Sequence, residues 1–273
     1  MTKDLIIVRA GTRSLHTAWL DPGKARNWDL FICPYEALPP PPAGAAGLLV
    51  SQAVPGTKWE GLKLLLHKWQ GWREYRYVML ADEDLYAPQN TWSRFFERCA
   101  AGAAKLAQPA FAEDAPYRHW VTVRNSEFKV RRVSCVDAAM PCFRADALAA
   151  LLPTFDLSTT GWGLDFMWGH RLDYKDVFVI DETPVISTRP FNVDRDPALH
   201  QAAQEALNRF MRDNKVPWLL KTFSGTHLSG LELAATHDAF LYRLFRGYEN
   251  MFERNPKRIE EMFRLQLAPA PTG

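Results

Sequence analysis

Over residues 1–190, short apolar runs alternate with stretches of helical periodicity, and that alternation restricts the chain to a sheet covered by helices on both faces. The opening "DLIIVRAGTRSLH" is a β-branched run that breaks into Gly11, Thr12 and Ser14, the pattern of a central strand entering a loop. "WDLFICPYE" is a second strand. "LPPPPAGAAG" (residues 38–47) is a surface loop, since consecutive prolines lack donors. "GLLVSQAVPGTKWEGLKLLLHKW" reads as strand, turn and helix, with Leu62, Leu65, Leu66 and Trp69 at helical spacing. The strand "YRYVML" follows, then a helix over residues 91–106 whose Trp92, Phe95, Phe96 and Cys99 share a face. Further strands fall at "KLAQPAF", "RRVSCVDAAMPCFR" and "DVFVIDETPVIST", with helices at "ADALAALLPTF" and "GWGLDFMWGH". From Asp196 on, helical periodicity replaces the strand pattern, which predicts a helical C-terminal extension over residues 191–273 with a frayed "APAPTG" end.

At 273 residues and 47% hydrophobic, the chain can build one large α/β domain with such an appendage. Its 33 basic and 31 acidic residues nearly cancel, which removes the bulk charge expected of a nucleic-acid binder. No apolar run reaches the length of a membrane span, and "MTKDLIIVRAG" is charged too early for a secretory signal, so a cytoplasmic protein is expected. Cys33, Cys99, Cys135 and Cys142 form no CxxC pair, and reduced, mostly buried thiols are expected.

The acidic triplet Asp82, Glu83, Asp84 stands directly after the strand "YVMLA". Side chains alternate along a strand, so Asp82 and Asp84 fall on one side and Glu83 on the other. Ligands bind at the carboxyl ends of strands in open α/β sheets. Two converging carboxylates repel each other unless a cation sits between them, and oxygen-only ligands suit Mg²⁺ or Mn²⁺. A solvated turn that caps the next helix is the plainer alternative. "TTGWGLDFMWGH" adds a second feature: Gly161 and Gly163 bracket Trp162, giving backbone that can approach a ligand beside a flat apolar surface. Asp165 follows in the first turn of a helix, where the dipole favours its charged form, and could take a proton from a hydroxyl nucleophile. In the plainer alternative Trp162 and Trp168 are core and a threonine caps the helix.

Together, "GTKWEGLKLLLHKW", "YRYVMLADEDLY", "KLAQPAF", "RRVSCVDAAMPCFRADAL" and "GWGLDFMWGH" resemble a glycosyltransferase-like family of plant and bacterial proteins long filed as a domain of unknown function, and more broadly GT-A glycosyltransferases. The resemblance spans roughly residues 5–190. It implies a GT-A, Rossmann-like, mixed and mostly parallel sheet flanked by helices, with residues 1–190 as the nucleotide-sugar-binding catalytic domain. It further implies Asp82 and Asp84 as metal and diphosphate residues, with Asp84 the direct ligand and Asp82 near the ribose. Glu83 takes the variable middle position and Asp165 the acceptor-activating base, while Trp162 and Gly163 shape the sugar site. Arg9, Gly11 and Arg13 fall where the fold meets the nucleotide base, and Lys58 where a donor-contacting residue stands. The implied cofactor is Mn²⁺ or Mg²⁺, the implied donor a nucleotide-sugar (UDP-sugar favoured), and the implied acceptor a glycan hydroxyl, in bacterial surface polysaccharide synthesis with inversion.

One departure concerns the late strand, where many GT-A enzymes add a histidine ligand. This chain reads "PVISTRPF" there, and Arg189 offers a fixed cation for phosphate instead. A sugar-phosphate nucleotidyltransferase, or a non-catalytic sugar- or nucleotide-binding module on the same fold, are the competing readings. Two other stretches stand out. "RHWVTVRNSEFKVRR" is expected as a solvated β-hairpin or a clamp for an acidic acceptor. The aromatic and arginine-rich C-terminal helices are expected to pack on the catalytic domain or a partner subunit, or to touch the inner face of a membrane.

Overall fold

The opening run becomes β1 (Asp4–Ala10), and all seven of its residues are buried. Leu5 and Ile7 join one apolar cluster while Ile6 and Val8 join another, because successive strand side chains point to opposite faces. A strand buried on both sides needs a layer on each. The helix α1 (Lys58–Lys68) brings Trp59, Leu62, Leu65 and Leu66 to the first cluster, and α2 (Gln89–Ala101) brings Trp92, Phe95, Phe96 and Cys99 to the second. This computed structural model describes residues 3–38, 47–189, 196–254 and 256–269. Most of the proline-rich stretch, the domain boundary near residue 190 and the last four residues lie outside the described residues.

The remaining strands are β2 (Trp28–Pro34), β3 (Leu48–Val50), β4 (Tyr77–Ala81), β5 (Leu85–Tyr86), β6 (Leu106–Phe111), β7 (Phe128–Val133), β8 (Cys142–Arg144), β9 (Val177–Ser187), β10 (Thr222–His227) and β11 (Glu232–Ala234). Their order across the sheet is β11-β10-β7-β9-β6-β8-β4-β1-β2-β3, with β5 pairing β9 off this path. The pairings β3·β2, β2·β1, β1·β4 and β6·β9 are parallel, and β8 is antiparallel to both β4 and β6. The sheet is thus mixed, with the carboxyl ends of β1, β2, β4 and β6 on one edge. The helices α3 (Ala145–Leu151), α4 (Leu164–Arg171) and α5 (Pro197–Asp213) complete the layers.

Two expectations need correction. The segment from residue 191 is not purely helical. Besides α5, α6 (Asp238–Arg246), α7 (Glu249–Arg254) and α8 (Lys257–Leu267), it contributes β10 and β11, and β10 pairs antiparallel with β7. The segment "TFSGTH" is too short and polar to announce a strand, and pairing with β7 decides it. Second, "RHWVTVRNSEFKVRR" is no solvated hairpin. Arg131 is completely buried, with Nε 2.8 Å from Asp181 Oδ2 and Nη2 2.8 Å from Asp181 Oδ1. Its Nη2 also donates to the Val123 carbonyl at 2.7 Å, and its Nη1 to the Tyr248 hydroxyl.

The C-terminal helices pack on their own chain. Phe240 and Leu244 of α6 and Met262 of α8 enter the first apolar cluster, and Gln266 exchanges two hydrogen bonds with the Thr222 backbone, at 2.9 and 2.7 Å. No helix among the described residues is long and apolar enough to cross a membrane. All four cysteines are buried and unbridged.

Candidate active site

β4 ends at Ala81, so the acidic triplet forms the turn between β4 and β5. Within this turn, Glu83 and Asp82 turn to different partners. Glu83 turns toward the ends of β1 and β2, accepting from Gly11 N–H at 2.7 Å and the Tyr35 hydroxyl at 3.0 Å. Arg189 completes this knot, donating from Nη1 to Glu83 at 2.9 Å and from Nη2 to the Arg13 carbonyl. Asp82 instead meets Lys58, whose Nζ lies 2.7 Å from Asp82 Oδ1. The same ammonium donates to the carbonyls of Ala138 at 2.7 Å and Ala139 at 2.9 Å.

Burial raises the Asp82 carboxyl above the usual carboxylate range, against the lowering effect of Lys58. Burial and then the Asp82 charge push Asp84 up to about 6. A carboxylate raised on folding binds more protons in the native state than in the unfolded one, so it favours the fold at low pH. That contribution is complete below pH 3.8 and lost as pH rises to about 6. Asp84→Asn is therefore expected to raise Tm by a few degrees at pH 7.5, with the gap closing toward pH 4. Melting curves of both proteins across that range test it, and a gap independent of pH would contradict it.

The second half of the site is the start of α4. The helix N-cap is Gly163 at φ +87°, and Gly161 has φ +85°. The structure corrects the role expected of these glycines. A side-chain carbon at Gly161 would collide with the Trp59 ring, and one at Gly163 with Phe210 of α5. They admit packing of the protein's own aromatics, and the left-handed backbone needs glycine as well. The loop is also tied to α1, whose capping residue Thr57 donates its hydroxyl to the Thr159 carbonyl at 2.8 Å. Arg118 lies over the half-buried Trp162 ring, 4.5 Å from its centroid.

This turn delivers Asp165 in the first turn of α4, where its Oδ2 lies 2.6 Å from His119 Nε2. Burial disfavours a charged imidazole, yet the bond to Asp165 and the charges of Asp165 and Asp137 outweigh it, so the His119 pKa is raised. Asp137 joins the halves. Its charge acts on His119 and on Asp82, while it feels Asp165 and Arg118. The edge of Phe166 packs against His119 at 5.0 Å and Trp218 packs against Phe166 at 5.2 Å, leaving Trp218 half exposed beside the pair.

Of the residues expected from sequence, Asp82, Asp84, Lys58, Trp162 and Asp165 gather here. Arg9 does not. It is buried, and its guanidinium holds the carbonyls of Pro34, Val54 and Gly56 at 3.2, 2.8 and 2.9 Å, so it braces the β1–α1 region and offers nothing to a nucleotide base. Gly11 and Glu83 are committed to each other, and Arg189 to Glu83. The Arg13 side chain is exposed. His119, Asp137 and Trp218 escaped sequence reasoning: the first two lie inside quoted stretches with nothing local to single them out, and each of the three arrives from a different loop.

A divalent cation fits this donor set in one mode only. No group of three His, Cys, Asp or Glu side chains that could hold a metal occurs among the described residues. Asp82 and Asp84 form an acidic pair only partly offset by Lys58, which suits an ion such as Mg²⁺ that takes its other ligands from phosphate oxygens and water.

No protein-family model matches the chain, and no curated protein matches it in sequence. Among solved structures it is similar to residues 1–349 of S. aureus TarS, with a TM-score of 0.46, 12% identity, and 94% of this chain and 75% of that one covered. The same fragment in complex with UDP-GlcNAc gives 0.47, 14%, 96% and 78%. A mycobacterial protein gives 0.46, 14%, 79% and 76%. Likeness at this level carries no statement about the chemistry of this chain.

Proposed function

We propose that the chain is a glycosyltransferase that moves a sugar from a nucleotide-sugar donor to a hydroxyl acceptor. The observation that carries this reading is the pairing of two acidic stations, the Asp82/Asp84 turn and the Asp165–His119 pair, with Asp137 in electrostatic reach of both.

In the proposed reaction the acceptor oxygen forms a bond to the anomeric carbon while the bond from that carbon to the diphosphate breaks. The electron pair leaves with the nucleoside diphosphate, and the hydroxyl proton passes to Asp165. His119 holds Asp165 in place and shares the incoming positive charge. Attack opposite the leaving group would invert the anomeric centre. Asp84, with the free oxygen of Asp82, would hold Mg²⁺ or Mn²⁺, whose Lewis acidity would offset charge on the departing diphosphate. Lys58 fixes Asp82 for that task. Trp218 offers a flat apolar face for an acceptor sugar.

The test is a thermal-shift panel of nucleoside diphosphates, nucleotide-sugars and nucleoside triphosphates, with and without Mn²⁺. Ligand that binds only the native state raises Tm by mass action. A rise with nucleotide-sugars that grows with Mn²⁺ is expected. Equal shifts with and without the ion would remove the metal, and a response confined to triphosphates would favour a nucleotidyltransferase.

A further inference from the structure

One polar atom in the cleft has no partner. Asp137 is 4% exposed, and its Oδ1 accepts from the Ala139 N–H at 2.8 Å while its Oδ2 is buried without a hydrogen bond. Lys58 spends its ammonium on Asp82 and the carbonyls of Ala138 and Ala139, and His119 Nε2 is taken by Asp165. Leaving a carboxylate oxygen buried and unbonded is expensive, and a hydrogen bond made in such a low-dielectric site is correspondingly strong.

The backbone around Asp137 is held for accuracy. Its N–H donates to the buried Gln108 Oε1, and the Ala139 carbonyl accepts from Asp82 N–H at 2.8 Å. The orphan oxygen is thus fixed relative to the acidic turn that would hold the diphosphate. Its charge also reaches the Asp165–His119 pair that would face the acceptor. Between those two the transferred sugar would lie.

We propose that Asp137 Oδ2 accepts a hydrogen bond from a ring hydroxyl of the donor sugar, and that the subsite takes neutral sugars and rejects uronic acids. This rests on the glycosyltransferase reading above. A neutral hydroxyl supplies the proton the oxygen lacks and adds no charge. A sugar carboxylate would instead meet the Asp137 carboxylate, which is 4% exposed, and like charges in so dry a place repel strongly. The oxygen is closed to bulk water, so the bond forms as the incoming sugar moves aside the side chains that cover it.

Titration calorimetry of the full chain with UDP, GDP, UDP-glucose, GDP-mannose and UDP-glucuronate tests this. Asp137→Asn keeps the bond to Ala139 and puts a donor where Oδ2 stood, and Asp137→Ala removes both oxygens. For wild type, a neutral nucleotide-sugar should bind tighter than its parent diphosphate, and UDP-glucuronate more weakly than UDP-glucose. Both variants should lose about 10- to 100-fold of affinity for the neutral nucleotide-sugar, as expected for a hydrogen bond to a charged group. Affinity for the diphosphate alone should stay within about twofold, and the Tm of Asp137→Asn should not fall. Equal losses for diphosphate and nucleotide-sugar, or an unchanged sugar increment in both variants, would overturn the subsite alone. Failure of wild type to bind any of the five would overturn the glycosyltransferase reading and the subsite with it.

Discussion

Asp165→Asn is expected to lower the transfer rate by about 100- to 10,000-fold, the range spanned by a positioned general base, while nucleotide-sugar affinity changes little. The side chain keeps its shape in this variant, so α4 and its glycine N-cap need not move. On the proposed reading, what disappears is the ability to receive a proton from the acceptor hydroxyl. His119→Gln should cost less, because in the proposed reaction the imidazole acts on the acceptor only through Asp165. Initial rates with saturating donor, alongside donor binding by calorimetry, separate the two effects. If Asp165→Asn retains most of the activity, or loses donor binding in proportion to rate, Asp165 is not the base.

Arg131→Met is expected to destabilise the fold by about 3–5 kcal/mol, the usual result of removing one member of a buried ion pair. At roughly 2–4 °C per kcal/mol for a chain of this size, Tm should fall by about 6–20 °C. Both side chains of the Arg131–Asp181 pair are fully buried. Asp181 also accepts from the Asn125 N–H at 2.8 Å, and the Asn125 amide donates to the Leu244 carbonyl of α6 at 2.9 Å. With Tyr248 on the Arg131 guanidinium, one network joins β7, β9 and the C-terminal helices. The variant leaves Asp181 charged with no counter-ion, in surroundings where burial already raises its pKa. The double variant Arg131→Met with Asp181→Leu removes that charge and should recover much of the loss. Melting curves of wild type, single and double variants decide. A double variant no better than the single would mean that lost packing, and not an unpaired charge, sets the loss.

The chain's own letters determined the layered α/β architecture. Five contiguous apolar positions in β4 and seven buried positions in β1 can only be strands covered twice, and the 3.6-residue spacing of Trp92, Phe95, Phe96 and Cys99 can only face a sheet. They also determined the acidic turn at the end of β4 and the aspartate at the start of α4, since both are local features of a strand end and a helix start. Only tertiary structure decided the rest. The alternation of charge in "FKVRRV" cannot reveal that Arg131 is buried, because its partner Asp181 is fifty residues away. Arg9 reads as a loop cation and is a brace because distant carbonyls converge on it. His119, Asp137 and Trp218 belong to the site because separate loops meet at one edge of the sheet. Periodicity is written within a few turns of chain, whereas a site's charges and orphaned oxygens are sums over neighbours that only the folded sheet brings within reach.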